Sequence, residues 1–111
     1  MKQTDVTLIL ITVPDEATAS KISSMLVEQK LAACVNIVPG IRSYFRWHNR
    51  LNTVSELLLL VKTRRELFDE VEKSILKYHP YEVPEIIAVE IPFGNEKFIN
   101  WAKEETQQIT G

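Results

Sequence analysis

The sequence has little cysteine, no long apolar run and no excess of basic residues. One cysteine, Cys34, among 111 residues excludes a disulfide within the chain and favours a reducing compartment. The apolar run over residues 6–13 is too short for a membrane span or a signal peptide. Thirteen Lys and Arg against 15 Asp and Glu give a net charge of −2, which argues against a nucleic-acid partner. These features predict a cytoplasmic protein that binds neither membrane nor nucleic acid.

Catalytic motifs are also missing from the sequence. It contains no recognisable Ser/His/Asp set, no glycine-rich phosphate loop and no paired cysteine motif. We therefore predict that the chain is not an enzyme. Its length suits a single domain over residues 1–111, and its 45% apolar and 25% charged residues are typical of a globular protein.

Hydrophobic periodicity and turn residues divide the chain into strands and helices. The predicted elements are, in order, a buried strand over Val6–Val13, a helix from Asp15 to about Lys30, an extended segment over Ala32–Trp47 with a bend at Pro39-Gly40, a polar turn over His48–Asn52, a strand over Val54–Lys62, a helix that buries Leu67, Phe68, Val71, Ile75 and Tyr78, a strand over Ile86–Ile91, and a last helix capped by Asn95. Thr63 and Glu66 match a capping box before the second helix. This order predicts an α+β, ferredoxin-like β-α-β-β-α-β sandwich with an antiparallel sheet and a C-terminal helix.

The predicted strands are apolar on both faces, which does not fit a monomer. In the first strand, Ile9 and Ile11 lie on the face opposite Leu8 and Leu10, and residues 57–60 are all leucine. Two helices cover only one face of such a sheet. We therefore expect the uncovered face to pack against other copies of the chain in a homo-oligomer.

The segment from His79 to Glu85 is the strongest candidate site in the sequence. Pro80 and Pro84 make it a stiff, extended connector between a helix and a strand. Neutral imidazole suits copper or zinc, so His79 is the predicted metal ligand, and Glu82 and Glu85 can add oxygen donors. In the alternative reading these groups are structural, with His79 at the end of the helix and Glu82 bonded to a neighbouring strand.

Other polar and aromatic residues are weaker candidates. Lys62 precedes a predicted helix N-terminus and can bind an anion with the free N–H groups there. Tyr44, Trp47 and Tyr81 can line a ligand cleft between subunits, although aromatic residues on an edge strand also form interfaces. Cys34 is predicted to be a small buried hydrophobic residue.

Several blocks of the sequence resemble the CutA divalent-cation tolerance family, in the same order and spacing. These blocks are Leu31-Ala32-Ala33-Cys34-Val35-Asn36-Ile37, Pro39-Gly40, Tyr44-Phe45-Arg46-Trp47, Leu60-Val61-Lys62-Thr63 and His79-Pro80-Tyr81-Glu82-Val83-Pro84-Glu85. The resemblance spans Val6 to Trp101. It implies a ferredoxin-like subunit, a tight homotrimer, an architecture related to the PII signalling proteins, and a role in tolerance of copper and other divalent metals.

The resemblance also implies a copper site that this sequence matches only in part. Some family members have a cysteine in the first strand and a second histidine beside the one that matches His79. This sequence has Ile11 and Tyr78 at those positions, so copper binding through His79 is expected to be weak. Three functions are candidates: metal homeostasis, a PII-like sensor that binds an anionic ligand between subunits, and an enzyme that uses His79 and Glu85 as an acid–base pair. The sequence favours the first two over the enzyme, because no activated nucleophile can be named.

Overall fold

The computed structural model describes residues 4–108, which form a four-stranded antiparallel sheet with three α-helices. Its elements are β1 (Val6–Val13), α1 (Glu16–Glu28), β2 (Cys34–Trp47), β3 (Arg50–Arg64), a 3₁₀ turn (Arg65–Leu67), α2 (Phe68–Leu76), β4 (Ile86–Glu90) and α3 (Glu96–Glu104). The strand order is β2-β3-β1-β4, which confirms the predicted ferredoxin-like sandwich and its additional C-terminal helix. The predicted domain also includes residues 1–3 and 109–111, which lie outside the described part of the chain.

Helices α1 and α2 cover one face of the sheet and enclose the main core. Ile9 and Ile11 of β1 lie opposite Val61 and Leu59 of β3, and all four are fully buried. The helices contribute Ala19, Ile22, Met25, Leu26, Val71 and Ile75 to the same cluster. None of the helices found in residues 4–108 is long and apolar enough to cross a membrane.

The other face of the sheet is largely uncovered and apolar, and we call it the open face. Its apolar residues are Leu8, Leu10, Val38, Leu58, Leu60, Ile87 and Val89. The strand register places Leu10 beside both Leu60 and Ile87, so these residues form one continuous row. Ile87 is 50% exposed. At one end, Ala102 of α3 packs against the buried Val6. Most of this face therefore has no cover within the described chain.

Strands β2 and β3 form a long hairpin with a tighter turn than predicted. The turn consists of His48 and Asn49, both with positive φ, as a two-residue type I′ turn requires. β3 therefore begins at Arg50, and the predicted turn over residues 48–52 is wrong because Leu51 and Asn52 already pair with β2. The predicted bend at Pro39-Gly40 is confirmed, since the β2–β3 register shifts between Val38 and Ile41.

Two details around α2 differ from prediction. The capping box at Thr63 is wrong because β3 continues to Arg64, and the Thr63 hydroxyl instead donates a 2.6 Å hydrogen bond to the Leu31 carbonyl. The prediction that Tyr78 is buried is also wrong, because its side chain is 40% exposed. The Lys21 ammonium lies 4.8 Å from the centroid of the Tyr78 ring. The predicted cap of α3 is confirmed, because the Asn95 side chain accepts a hydrogen bond from the Phe98 N–H.

Candidate functional site

The connector after α2 is anchored by His79. Its backbone N–H donates to the Ile75 carbonyl at the end of α2, and its side chain extends toward β1. The ring Nδ1 accepts a 3.2 Å hydrogen bond from the Tyr81 N–H, so Nε2 carries the proton and donates to the Thr12 carbonyl at 2.8 Å. His79 is only 9% exposed, and both ring nitrogens are engaged. In this arrangement the imidazole can bind a metal only after one of these hydrogen bonds is lost.

Tyr81 links the connector to the long hairpin. Its phenol donates a 2.9 Å hydrogen bond to Oε2 of Glu56, and its ring centroid lies 4.9 Å from that of His79. Burial, which is the largest cause, together with the hydrogen bond to Glu56 and the negative charges of Glu56 and Asp15, raises the pKa of Tyr81 to about 12. The phenol therefore remains a hydrogen-bond donor across the physiological pH range.

Glu56 is a site residue that sequence reasoning missed. It lies on β3 opposite Ile41, directly after the β2 bulge, and is 6% exposed. Burying a carboxylate is costly unless it is paired or binds a metal, yet none of the ion pairs found within residues 4–108 involves Glu56. The signal in the sequence was a single acidic residue inside an otherwise uncharged strand segment, 51–61.

Two adjoining cavities of about 390 and 370 Å³ lie between the connector and the hairpin, and we call them together the cleft. The first is lined by Thr12, Ser43, Tyr44, Phe45, Arg46, Trp47, Glu56, Tyr81, Val83 and Glu85. The second is lined by Phe45, Trp47, Asn52, Val54, Pro80, Tyr81, Glu82 and Val83. The cleft thus brings together five of the residues singled out from the sequence: Tyr44, Trp47, Tyr81, Glu82 and Glu85.

Two other predicted site residues do not line the cleft. Lys62 lies at the edge of the open face, where its ammonium donates hydrogen bonds to the side-chain oxygen of Asn36 and to the Leu60 carbonyl. His79 lies behind Tyr81, and its ring does not line either cavity. Among residues 4–108, no group of three His, Cys, Asp or Glu side chains is placed to hold a metal ion.

Cys34 is the first residue of β2 and pairs with Lys62 in the sheet register. It is a free, half-buried thiol. The prediction that it is buried is met only in part in the single chain, because alternation along β2 places it beside the open face and away from the helix-covered core.

The fold defines an α+β protein of the ferredoxin-like class with a polar and aromatic cleft between its connector and its hairpin. A family profile described as "CutA1 divalent ion tolerance protein" matches residues 7–105. The chain therefore belongs to the CutA1 divalent ion tolerance family.

Individual relatives agree with this assignment. The divalent-cation tolerance protein CutA of Thermus thermophilus is 48% identical over 99 residues, which cover 89% of this chain and 96% of the relative. A solved structure of the Thermus thermophilus protein superposes with a TM-score of 0.90 at 46% identity and covers 92% of this chain and 99% of that one. The chloroplastic CutA of Arabidopsis thaliana is 40% identical over 90% of this chain, and the match spans 55% of that longer protein.

Proposed function

We propose that this protein acts in divalent-cation tolerance by binding a divalent cation weakly in the cleft. The observation that carries the proposal is Glu56, a buried carboxylate whose hydrogen-bond partner is the neutral phenol of Tyr81. A carboxylate removed from water is stabilised by a cation. Glu85 lines the same cavity and supplies a second carboxylate.

The donor set favours hard cations and modest affinity. Carboxylate oxygens suit Mg²⁺, Ca²⁺ or Mn²⁺, whereas copper prefers nitrogen and sulfur. The first cavity offers two carboxylates, so water or a second copy of the chain would complete the coordination shell. Arg46 lines the same cavity and opposes a cation there. These features support weak binding, with a dissociation constant of roughly micromolar or higher.

Copper binding through His79 remains a separate proposal. Coordination at Nδ1 would break the 3.2 Å hydrogen bond from the Tyr81 N–H, the longer of the two that the ring makes. Glu82 lines the second cavity and Glu85 the first, so the three residues would have to rearrange around one ion. Copper affinity at this position should therefore be low and should fall as acid protonates the imidazole.

We also propose that the protein acts as a PII-like homotrimer in the cytoplasm. The open face supports assembly, because Leu10, Leu60 and Ile87 form a continuous apolar row that lacks cover within the described chain. Burial of such a surface between copies would remove it from water. The proposed function includes no catalytic step, since His79 lies outside the cavity that Glu85 lines and its ring nitrogens are engaged.

Isothermal titration with Mn²⁺ and with Cu²⁺ tests the cation proposal. Glu56→Gln and Glu85→Gln should each weaken Mn²⁺ binding about tenfold or more, because each removes a charged donor. Glu28→Gln is the matched control, since it removes the same charge at an exposed position at the end of α1. His79→Ala should reduce binding of Cu²⁺ more than binding of Mn²⁺. Equal Mn²⁺ affinity in wild type, Glu56→Gln and Glu85→Gln would remove the cleft carboxylates from the site.

The aromatic lining of the cleft favours a second candidate function, a small-molecule sensor. Phe45, Trp47 and Tyr81 line both cavities and can stack on a planar ligand. Arg46 would bind an anionic group of such a ligand, because Lys62 does not line the cleft. Titration with a nucleotide, followed by tryptophan fluorescence, tests this function. A signal that persists in Trp47→Phe would come from Trp101 and would argue against binding in the cleft.

A further inference from the structure

A third cavity, of about 480 Å³, lies where β3 ends and shares no lining residue with the cleft. It is lined by Asp5, Arg64, Arg65, Glu66, Lys103 and Gln108. Three of these side chains are cationic and two are carboxylates. The functions proposed above do not use this cavity.

Arg64 is the unusual member of the lining. Its side chain is only 9% exposed, and its guanidinium binds the Gln107 carbonyl and, at 2.6 Å, Oε1 of Glu66. Its Nε is buried and has no hydrogen-bond partner within the described part of the chain. A buried guanidinium N–H without an acceptor carries a desolvation cost. One N–H group of this side chain, at Nε, therefore lacks an acceptor.

The two carboxylates in this cavity are themselves exposed, and each is held by one ion pair. Glu66 is 49% exposed in its pair with Arg64, and Asp5 is 66% exposed in its 3.2 Å pair with Lys103. The exposed pair of Asp5 with Lys103 contributes little to stability, so Asp5 can leave its partner at small cost. Glu66 can leave the buried Arg64 only when another anion takes its place, because the guanidinium would otherwise lose its carboxylate partner. Arg65 differs from the other two cations because its guanidinium donates hydrogen bonds to both carboxylate oxygens of Glu90, which does not line the cavity.

We propose that this cavity is a binding site for a small phosphate-type oxyanion, which displaces Glu66 from Arg64. A tetrahedral oxyanion presents acceptor oxygens on several sides, whereas Glu66 gives Arg64 a single short contact through Oε1. Lys103 supplies a second charge from α3.

Isothermal titration of the full chain with inorganic phosphate tests this site, with chloride holding the ionic strength constant. Glu66→Gln should bind phosphate about fivefold more tightly or better, because the resident carboxylate no longer competes. Lys103→Gln should bind about fivefold more weakly, because it removes one cation and leaves Asp5 without its partner. Arg64 is not substituted, because truncation of a buried, hydrogen-bonded side chain would destabilise the fold and obscure any effect on binding.

Two exposed residues of α2 outside the cavity provide matched controls. Glu70→Gln and Lys73→Gln change the net charge as the test variants do, and both should bind phosphate with wild-type affinity. Acetate, a carboxylate probe, should bind more weakly than phosphate. Equal phosphate affinity in all five proteins, shifts as large in the controls as in the test variants, or acetate binding as tight as phosphate binding would each overturn the proposal.

Discussion

The phenol of Tyr81 and the carboxylate of Glu56 join the connector to the long hairpin through a 2.9 Å hydrogen bond. One partner lies just after Pro80, and the other lies 25 residues earlier in the chain, on β3. Both residues line the first cavity of the cleft, so the bond holds a buried carboxylate at the wall of that cavity.

Tyr81 should titrate late, with a pKa of about 12. The unfolded chain loses the same proton near pH 10. Because the folded pKa is the higher one, the stabilising contribution of Tyr81 is fully present below about pH 10 and is lost as the pH rises through about 12. An ultraviolet absorbance titration should show a late phase that disappears in Tyr81→Phe. In Glu56→Gln the late phase should move to lower pH but stay above the ordinary range, since burial is the largest cause. A wild-type titration without a late phase, or a late phase that persists in Tyr81→Phe, would contradict this.

His79→Ala should lower the free energy of unfolding by about 1–3 kcal/mol, because it leaves the Thr12 carbonyl and the Tyr81 N–H without a partner. Urea unfolding monitored by circular dichroism measures this change. The control is His48→Asn, which removes an exposed imidazole at the hairpin tip, keeps a residue type that tolerates the positive φ there, and should change stability by less than about 1 kcal/mol. Similar stability in the two variants would show that His79 does not anchor the connector.

A charge on the open face should prevent assembly without removing the subunit core. In Leu60→Glu the substituted residue lies between Leu10 and Asn36 on the open face, so the predicted trimer should be lost. In Ile11→Lys the new ammonium is placed in the helix-covered core, where it should unfold the chain. Sedimentation velocity and circular dichroism distinguish the two outcomes. A wild-type chain that sediments as a stable monomer at micromolar concentration would disprove the predicted trimer.

Lys30→Gly should stabilise the protein by about 0.5–1 kcal/mol. Lys30 follows α1 with φ of 59°, a left-handed conformation that costs a side-chain-bearing residue energy and that glycine adopts freely. Thermal unfolding of Lys30→Ala provides the control, because alanine removes the charge but keeps the Cβ. If Lys30→Ala is stabilised as much as Lys30→Gly, the gain comes from the charge and not from the backbone.

The open face shows how far hydrophobic pattern could predict this structure. Alternation in β1 assigned Ile9 and Ile11 to one face and Leu8 and Leu10 to the other, and the structure confirms both assignments. Capping chemistry was less reliable, since Asn95 caps α3 as predicted but Thr63 does not cap α2. Thr63 fits both a cap and a strand, and its pairing with Thr7 of β1, distant in sequence, favoured the strand.

The sequence by itself determined the order of elements, the bulge at Pro39-Gly40 and the stiffness of the connector, because each depends on neighbouring residues and their allowed backbone angles. Only the tertiary structure showed that Glu56 accepts a hydrogen bond from Tyr81, that Lys62 lies outside the cleft, and that both ring nitrogens of His79 form hydrogen bonds. These outcomes depend on strand register and on contacts between residues as far as 67 positions apart. Local sequence carries no information about such pairings, since packing of the whole chain selects them.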